Sequence, residues 1–176
     1  LRRATDPWES HLTGIMNTLV PEKEIPSHQG PDAQSVDPSF DVITSAVKVP
    51  ETLSHLHYWN VQLTRKADKE EVLDAFNKST RIAMIKYSDE LAANNTVKEL
   101  MLAIGRPYGD MYEVALWQDM LKVVGDEVFY AYLVDNQAIV IPETIDAIRA
   151  LTGIEPDAEK SILKTNESLG VKQSFY

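Results

Sequence analysis

The sequence is organised around a strand-like segment, residues 49–63, which reads Val49-Pro50-Glu51-Thr52-Leu53-Ser54-His55-Leu56-His57-Tyr58-Trp59-Asn60-Val61-Gln62-Leu63. Successive side chains of a β-strand point to opposite faces, so a period of two sorts these residues into two groups. One group comprises His55, His57, Trp59, Val61 and Leu63. The other comprises Leu56, Tyr58, Asn60, Gln62 and Thr64. Two histidines therefore share one face of a predicted strand that begins shortly after Pro50.

The pattern leaves two interpretations of His55 and His57 open. Histidine changes charge near neutral pH, which suits a general acid or base. Alternatively, one ring packs beside Trp59 while the other hydrogen-bonds a backbone carbonyl. Two histidines at i and i+2 can share a metal, but no third ligand follows at a suitable spacing, so no metal site is predicted.

Composition restricts the class of protein. The chain has 176 residues, of which 44% are hydrophobic, enough for one well-buried core. Its 17 Lys and Arg against 27 Asp and Glu give a net charge of -10, and no basic run is visible, so nucleic acid is not an expected partner. No apolar run reaches the roughly 20 residues of a membrane span, and the N-terminus lacks an apolar signal core. We therefore predict a soluble, intracellular protein without a membrane partner.

The sequence lacks two features: a cysteine and a glycine-rich dinucleotide-binding motif. The chain contains no cysteine, which excludes a cysteine nucleophile within it. None of its 7 glycines falls in a G-x-G-x-x-G spacing, so it carries no dinucleotide fingerprint. Because the first residue is Leu1 rather than Met, we expect a processed or excised piece of a longer protein.

The first third of the chain predicts three segments. Asp6-Pro7 resembles a helix start, and apolar residues at helical spacing predict a helix over residues 7–19 that ends before Pro21. Residues 22–32 are polar and rich in proline, which predicts an irregular loop. Residues 42–49 are rich in β-branched side chains, which favours a strand.

The remaining segments alternate between strands and helices. A helix is predicted after Asp68, a strand over 81–86, a helix from 95 or 96 to the C-cap Gly105, a strand over 112–117, and a hairpin over 121–134 that turns at Gly125-Asp126. Two helices follow, one from Pro142 to Gly153 and one over 158–169. This order predicts an α+β fold, with a mostly antiparallel sheet and helices on one face.

Four motifs together resemble one family, the archaeal-type (class II) phosphorylating glyceraldehyde-3-phosphate dehydrogenases. Residues 2–7, Arg2-Arg3-Ala4-Thr5-Asp6-Pro7, look like R-R-G-A-D-P, and residues 26–32, Pro26-Ser27-His28-Gln29-Gly30-Pro31-Asp32, are similar to P-S-H-H-G-P-D. Residues 49–57 are similar to V-P-T-T-L-M-H-x-H, and residues 141–150 to V-P-E-N-I-D-A-I-R-A. Order and spacing agree from end to end, so the resemblance covers essentially the whole chain.

The resemblance implies the C-terminal part of a two-domain enzyme. Residues 1–134 would form the catalytic domain, and residues 135–176 would be terminal helices that pack on an absent N-terminal Rossmann domain. That domain and the cysteine of an S-C-N-T-T motif would lie upstream of Leu1, so these residues alone are expected to be inactive. The cofactor would be NAD or NADP, bound mostly by the absent domain.

The resemblance also implies a reaction and its partners. The enzyme would oxidise glyceraldehyde 3-phosphate through a thioester released by inorganic phosphate, in glycolysis or gluconeogenesis, as a cytoplasmic homotetramer. The alternative is a diverged, non-catalytic domain that serves as an oligomerisation or interaction module.

Motif positions assign roles residue by residue. His55 matches the family's catalytic histidine and would act as the base, which leaves His57 as structural. His28, Gln29 and Arg2 would bind phosphate groups, while Arg3 and Asn136 would contact the cofactor. Two departures stand out: Gln29 replaces the second histidine of the family's pair, and residues 135–139, Asp135-Asn136-Gln137-Ala138-Ile139, stand where the family usually has H-Q-E-S-D.

Overall fold

The computed structural model describes residues 19–51 and 53–176, which fall into two compact units divided between residues 52 and 53. In the first unit, strand β1 (Val20–Pro21) pairs antiparallel with β2 (Val47–Lys48), with Val20 opposite Lys48. Helix α1 (Gln29–Val36) lies between them in sequence. The predicted helix over 7–19 falls almost wholly outside the described residues, and Leu19 itself is not helical.

Two predictions for this unit are corrected by the structure. The predicted loop ends early because α1 begins at Gln29; Pro31 sits in the first turn of that helix, where a backbone N–H has no intrahelical partner to lose. The predicted strand over 42–49 is reduced to Val47–Lys48. Its earlier part bonds to irregular backbone instead, since Ser27 N–H donates to Thr44 O at 2.8 Å.

The second unit is built on a five-stranded sheet. Strand β3 (Ser54–Gln62) pairs antiparallel with β7 (Glu127–Asp135), and β7 also pairs antiparallel with β5 (Val114–Trp117) and with β6 (Lys122–Val124). Strand β4 (Ile82–Ile85) lies beyond β5 and pairs with it in parallel. The order β3-β7-β5-β4 leaves β3 at one edge of the sheet.

The predicted fold class is confirmed only in its coarser form: the fold is mixed α/β and the sheet is mostly antiparallel, with one parallel pair. That pair follows from the connection between its strands, because β4 reaches β5 through helix α3 (Asn94–Ala103). A helical crossover of this kind returns the chain to lie parallel to the strand it left.

Each face of the sheet carries a helix. On one face, Val97 and Met101 of α3 pack with Ala115, Ala131 and Leu133 in the main core cluster. On the other face, Phe76 of helix α2 (Lys69–Asn77) meets Tyr130 edge to face, with ring centroids 5.1 Å apart. The expectation of helices on one face only is therefore wrong. The expectation failed because both faces of β7 carry apolar side chains, and a helix packs against each face.

Most predictions of local structure in this unit are confirmed. The Asp68 carboxylate accepts the N–H of Glu71 at 2.8 Å and caps α2. The hairpin between β6 and β7 turns at Gly125 and Asp126, as predicted. Helices α4 (Ile141–Thr152) and α5 (Ala158–Leu169) end at the left-handed Gly153 and Gly170. Short 3-10 turns occupy Tyr87–Asp89, Pro107–Gly109 and Gln118–Met120.

The carboxylate of Asp146 helps to join the two terminal helices. Asp146 of α4 accepts hydrogen bonds from Ser161 at 2.7 Å and Thr165 at 2.6 Å on α5, and it pairs with Arg81 at 2.5 Å. Burial by itself raises the pKa of Asp146, but these hydrogen bonds outweigh burial and the pKa lies below its ordinary value. Asp146 is therefore charged at neutral pH and ties the helical pair to the start of β4.

A buried ion pair holds the segment after α5. Arg106 donates from its two terminal guanidinium nitrogens to the two oxygens of Glu113, each at 2.6 Å, and neither side chain is more than 6% exposed. Arg106 also donates to Gly170 O at 2.7 Å, and Lys172 N–H donates to Glu113 at 2.7 Å. The pair thus links the α3–β5 connection to the chain's last residues.

Among the described residues, no helix combines the length and the apolar character needed to cross a bilayer.

Candidate functional site

The structure sets His55 near the beginning of an edge strand. His55 is the second residue of β3 and is half-buried, and it lies opposite Val134 of β7. His57 lies opposite Tyr132 on the same face, and the two imidazole centroids are 6.0 Å apart with the rings inclined by 63°. The predicted alternation of β3 is therefore confirmed, and it presents both histidines on one side of the sheet.

The two histidines have different surroundings. His57 stacks on Tyr132, with centroids 4.9 Å apart and rings within 14° of parallel. Trp59, Tyr130 and Tyr132 continue this aromatic layer along β3 and β7. Burial lowers the pKa of His57 from its ordinary value of 6.5, and it raises the pKa of Tyr130 to about 12. His57 is thus a neutral member of an aromatic stack at neutral pH, whereas His55 stands at the end of that stack.

The lowered pKa of His57 predicts a pH dependence of stability. The unfolded chain binds a proton near pH 6.5 while the folded chain stays neutral, so the contribution of His57 is fully present above pH 6.5. It is lost as the pH falls from 6.5 through the lower pKa of the folded state. We therefore expect a His57→Gln variant to lose less unfolding free energy than the wild type over this interval, measured by urea unfolding at successive pH values.

The control for this measurement is His28→Gln, which removes an exposed histidine outside the aromatic stack. Its unfolding free energy should follow the wild-type pH profile. If the unfolding free energy of His57→Gln falls with pH as steeply as that of the wild type, burial of this ring has no part in the acid sensitivity of the fold.

The end of β7 forms a tight turn beside the start of β3. Asp135 is the last residue of β7 and lies opposite Ser54, the residue before His55. Its carboxylate accepts the N–H groups of Gln137 at 2.9 Å and Ala138 at 3.0 Å. Burial by itself raises the pKa of Asp135, but the hydrogen bond from Lys98 and these backbone donors together bring it below the ordinary value. A charged Asp135 therefore shapes the turn that carries Asn136.

In the first unit, Gln29 is oriented by a serine. Ser27 is 2% exposed, and its hydroxyl donates to Gln29 Oε1 at 2.6 Å. Thr44 stabilises the same segment: its hydroxyl donates to Ser27 O at 2.9 Å and accepts from Gly30 N–H at 3.0 Å. Because its carbonyl end is held, Gln29 offers its amide N–H₂ end as a donor beside the exposed His28.

The structure brings together some of the residues predicted for the site. His55 lies in β3 and Asn136 directly follows β7, so the register of the two strands places them at the same end of the sheet. His28 and Gln29 lie together at the start of α1, and Arg2 and Arg3 fall outside the described residues. Within the described residues, no group of three or more acidic or histidine side chains is arranged to hold a metal ion.

The sequence analysis assigned no supporting role to Asp135, Lys98 or Ser27. An available signal for Asp135 was an aspartate at the end of a strand, a position where its side chain often bonds the backbone of the following residues. No local signal connects Lys98 to Asp135, because they lie 37 residues apart.

Comparison with known proteins identifies the family. The sequence model of the family glyceraldehyde 3-phosphate dehydrogenase, C-terminal domain, matches residues 10–120. This chain therefore belongs to the family of glyceraldehyde 3-phosphate dehydrogenase C-terminal domains, in agreement with the four sequence motifs.

Curated relatives give the same result over nearly the whole chain. It is 39% identical over 172 residues to a glyceraldehyde-3-phosphate dehydrogenase of Methanobrevibacter smithii, covering 97% of this chain and 51% of that protein. It is 38% identical over 175 residues to that of Methanopyrus kandleri, covering 99% and 50%. It is 40% identical over 174 residues to that of Methanococcus maripaludis, covering 97% and 51%. All three organisms are archaea, and this chain spans about half the length of these relatives.

Proposed function

We propose that this chain is the catalytic-domain part of an NAD(P)-dependent phosphorylating glyceraldehyde-3-phosphate dehydrogenase. One observation carries the proposal: the register of β3 with β7 brings the motif-matched histidine, His55, and the predicted cofactor contact, Asn136, to the same end of one sheet. These residues are 81 positions apart in sequence, yet hydride-transfer chemistry requires a base and a cofactor contact side by side.

His55 is the proposed base. A cysteine outside these 176 residues would attack the aldehyde carbon, and His55 would accept the proton released as the hydroxyl of the adduct becomes a carbonyl. Its surroundings support this choice over His57, since His57 is stacked on Tyr132 and its pKa is lowered by burial. A ring held in an aromatic stack is a poorer candidate for moving a proton than the ring at its end.

Asn136 is the proposed contact to the nicotinamide cofactor. A side-chain amide both donates and accepts hydrogen bonds, which is the complement of a carboxamide group, so the residue present fits the cofactor. When bound, the nicotinamide supplies the acceptor for the hydride. Asn136 would orient the carboxamide, and Arg3 would lie close to the cofactor by its motif position.

The proposed phosphate contacts are His28, Gln29 and Arg2. His28, the residue just before α1, is exposed and offers an imidazole N–H donor. Gln29 adds an amide donor because Ser27 holds its carbonyl end. Together these donors suit the phosphate of glyceraldehyde 3-phosphate or the inorganic phosphate that releases the thioester.

The terminal helices are proposed to pack on a nucleotide-binding domain, as part of residues 135–176. Large apolar side chains of this region are exposed, including Ile148 at 53%, Leu163 at 56% and Leu151 at 88%. A further domain would remove this apolar surface from water. By family resemblance we also propose a cytoplasmic homotetramer that acts in glycolysis or gluconeogenesis.

The proposal is tested by assaying the protein as it occurs naturally with glyceraldehyde 3-phosphate, inorganic phosphate and either NAD or NADP. We expect phosphate-dependent formation of the reduced cofactor, and the ratio of the two rates gives the cofactor preference. Absence of activity with both cofactors, in protein that is folded by circular dichroism, would favour the non-catalytic alternative.

A further inference from the structure

The side chain of Lys98 reaches the turn that follows β7. Its Nζ lies 2.5 Å from Asp135 Oδ2, and the two side chains are 21% and 5% exposed. The other carboxylate oxygen, Oδ1, accepts from Gln137 and Ala138 N–H. Both oxygens of Asp135 are thus engaged in hydrogen bonds within the fold.

Gly109 sets the path of Lys98. A Cβ added at Gly109 would lie 3.3 Å from Lys98 Cε and 3.2 Å from Lys98 O, and Gly109 has φ +67°. The aliphatic stem of Lys98 therefore runs close against the backbone of the Pro107–Gly109 turn. This contact limits the directions in which the ammonium group can point.

The same face of α3 also contacts the start of β3. Asn94 stands one helical turn before Lys98, so the two side chains lie on one face of the helix. Asn94 Nδ2 lies 3.4 Å from the hydroxyl of Ser54, the residue before His55. One helix face thus contacts the residue preceding His55 and the residue preceding Asn136. The cavity lined by these side chains is about 10 Å³, too small for more than a single water.

Stability alone does not account for a charged pair at this place. A neutral side chain can cap a turn, and a buried ion pair is often no more stable than apolar residues of similar volume. What a charged pair adds is a defined geometry, because the carboxylate must keep three hydrogen bonds at once.

We infer that Lys98 and Asp135 are positioning residues: their ion pair holds the turn Asp135–Ile139 so that Asn136 is presented to the nicotinamide cofactor at the end of the sheet that carries His55. This inference rests on the proposed function. The pair touches neither substrate nor cofactor and acts only through Asn136.

The test uses the natural protein and an Asp135→Asn variant. Asparagine has the same shape and keeps one oxygen for the two backbone donors, so the fold is retained while the ion pair is lost. We expect the KM for NAD or NADP, whichever the protein uses, to rise about ten- to a hundredfold. The KM for glyceraldehyde 3-phosphate should stay within about twofold. A rise in the cofactor KM alone distinguishes a positioning role from general damage to the fold, because such damage would raise the KM for both the cofactor and glyceraldehyde 3-phosphate.

Two further variants complete the experiment. Lys98→Arg keeps a positive charge opposite Asp135, so its cofactor KM should stay within about threefold of the wild type. Glu71→Gln breaks the exposed ion pair of Arg65 with Glu71 of α2, which lies beyond the end of β3 opposite to His55, and should leave both KM values unchanged. The inference is overturned if Asp135→Asn leaves the cofactor KM unchanged, or if it raises both KM values equally.

The wild-type protein and His55→Ala are assayed in parallel. One possible result is that the wild type is active, His55→Ala is inactive, and Asp135→Asn has the wild-type KM for the cofactor. In that case only the positioning role of the ion pair is wrong. If the wild type shows no dehydrogenase activity, the proposed function fails, and the inference that rests on it fails with it.

Discussion

A His55→Ala variant of the natural protein is expected to turn over roughly two to four powers of ten more slowly than the wild type, the usual contribution of a general base. The physical reason is that the proton released when the adduct oxygen becomes a carbonyl has no acceptor once the imidazole is removed. His55 stands at the end of the aromatic stack on β3, beside the β7 turn that carries Asn136. The measurement is kcat for cofactor reduction at saturating glyceraldehyde 3-phosphate and phosphate.

The matched control is His57→Ala, which removes the same ring from the same face of the same strand, two residues further on. Because His57 is stacked on Tyr132, its removal should lower stability while kcat changes by less than about tenfold. Near-normal turnover in His55→Ala would remove His55 from the role of base. Equal losses in both variants would assign the effect to the shape of the aromatic face.

The largest expected effect on stability comes from Glu113→Ala. Removing this carboxylate leaves Arg106 charged and buried without its partner and deprives Lys172 N–H of its acceptor. Breaking one side of a buried ion pair typically costs about 3–5 kcal/mol. We expect a loss of this size in the free energy of unfolding, measured by urea titration of the natural protein with tryptophan fluorescence.

Glu143→Ala provides the comparison, because it removes a carboxylate that also pairs with an arginine but is 61% exposed. Its loss should stay below about 1 kcal/mol. A double variant, Arg106→Met with Glu113→Leu, should lose less than Glu113→Ala, since no uncompensated charge remains. If Glu113→Ala costs no more than Glu143→Ala, the ion pair does not hold the end of the chain.

Local signals were sufficient for most elements of the second unit. The cap of α2 at Asp68 and the turn at Gly125-Asp126 depend on residues within four positions of each other, so they are legible in sequence. The same holds for α4 and α5, which end at glycines with positive φ. The alternation of β3 also predicted which residues share a face with His55.

Predictions failed where a partner far away in sequence decides the outcome. Residues 42–46 have the composition of a strand, but their hydrogen-bonding partners are irregular backbone near residues 22–27 rather than a second strand. Strand composition also says nothing about direction, and the parallel pairing of β4 with β5 follows from the helical crossover between them. The order strand, helix, strand was present in the sequence and would have predicted that pairing.

The candidate site divides in the same way. The sequence by itself determined the family, because the motifs are residue types at fixed spacings along the chain. The same motifs selected the candidate site residues His55, His28, Gln29 and Asn136. Tertiary structure alone decided that Ser54 lies opposite Asp135, that Lys98 reaches the turn before Asn136, and that His57 is buried in a stack. Those contacts join residues 37 or more positions apart. Their geometry depends on strand register and helix packing, which no local pattern contains.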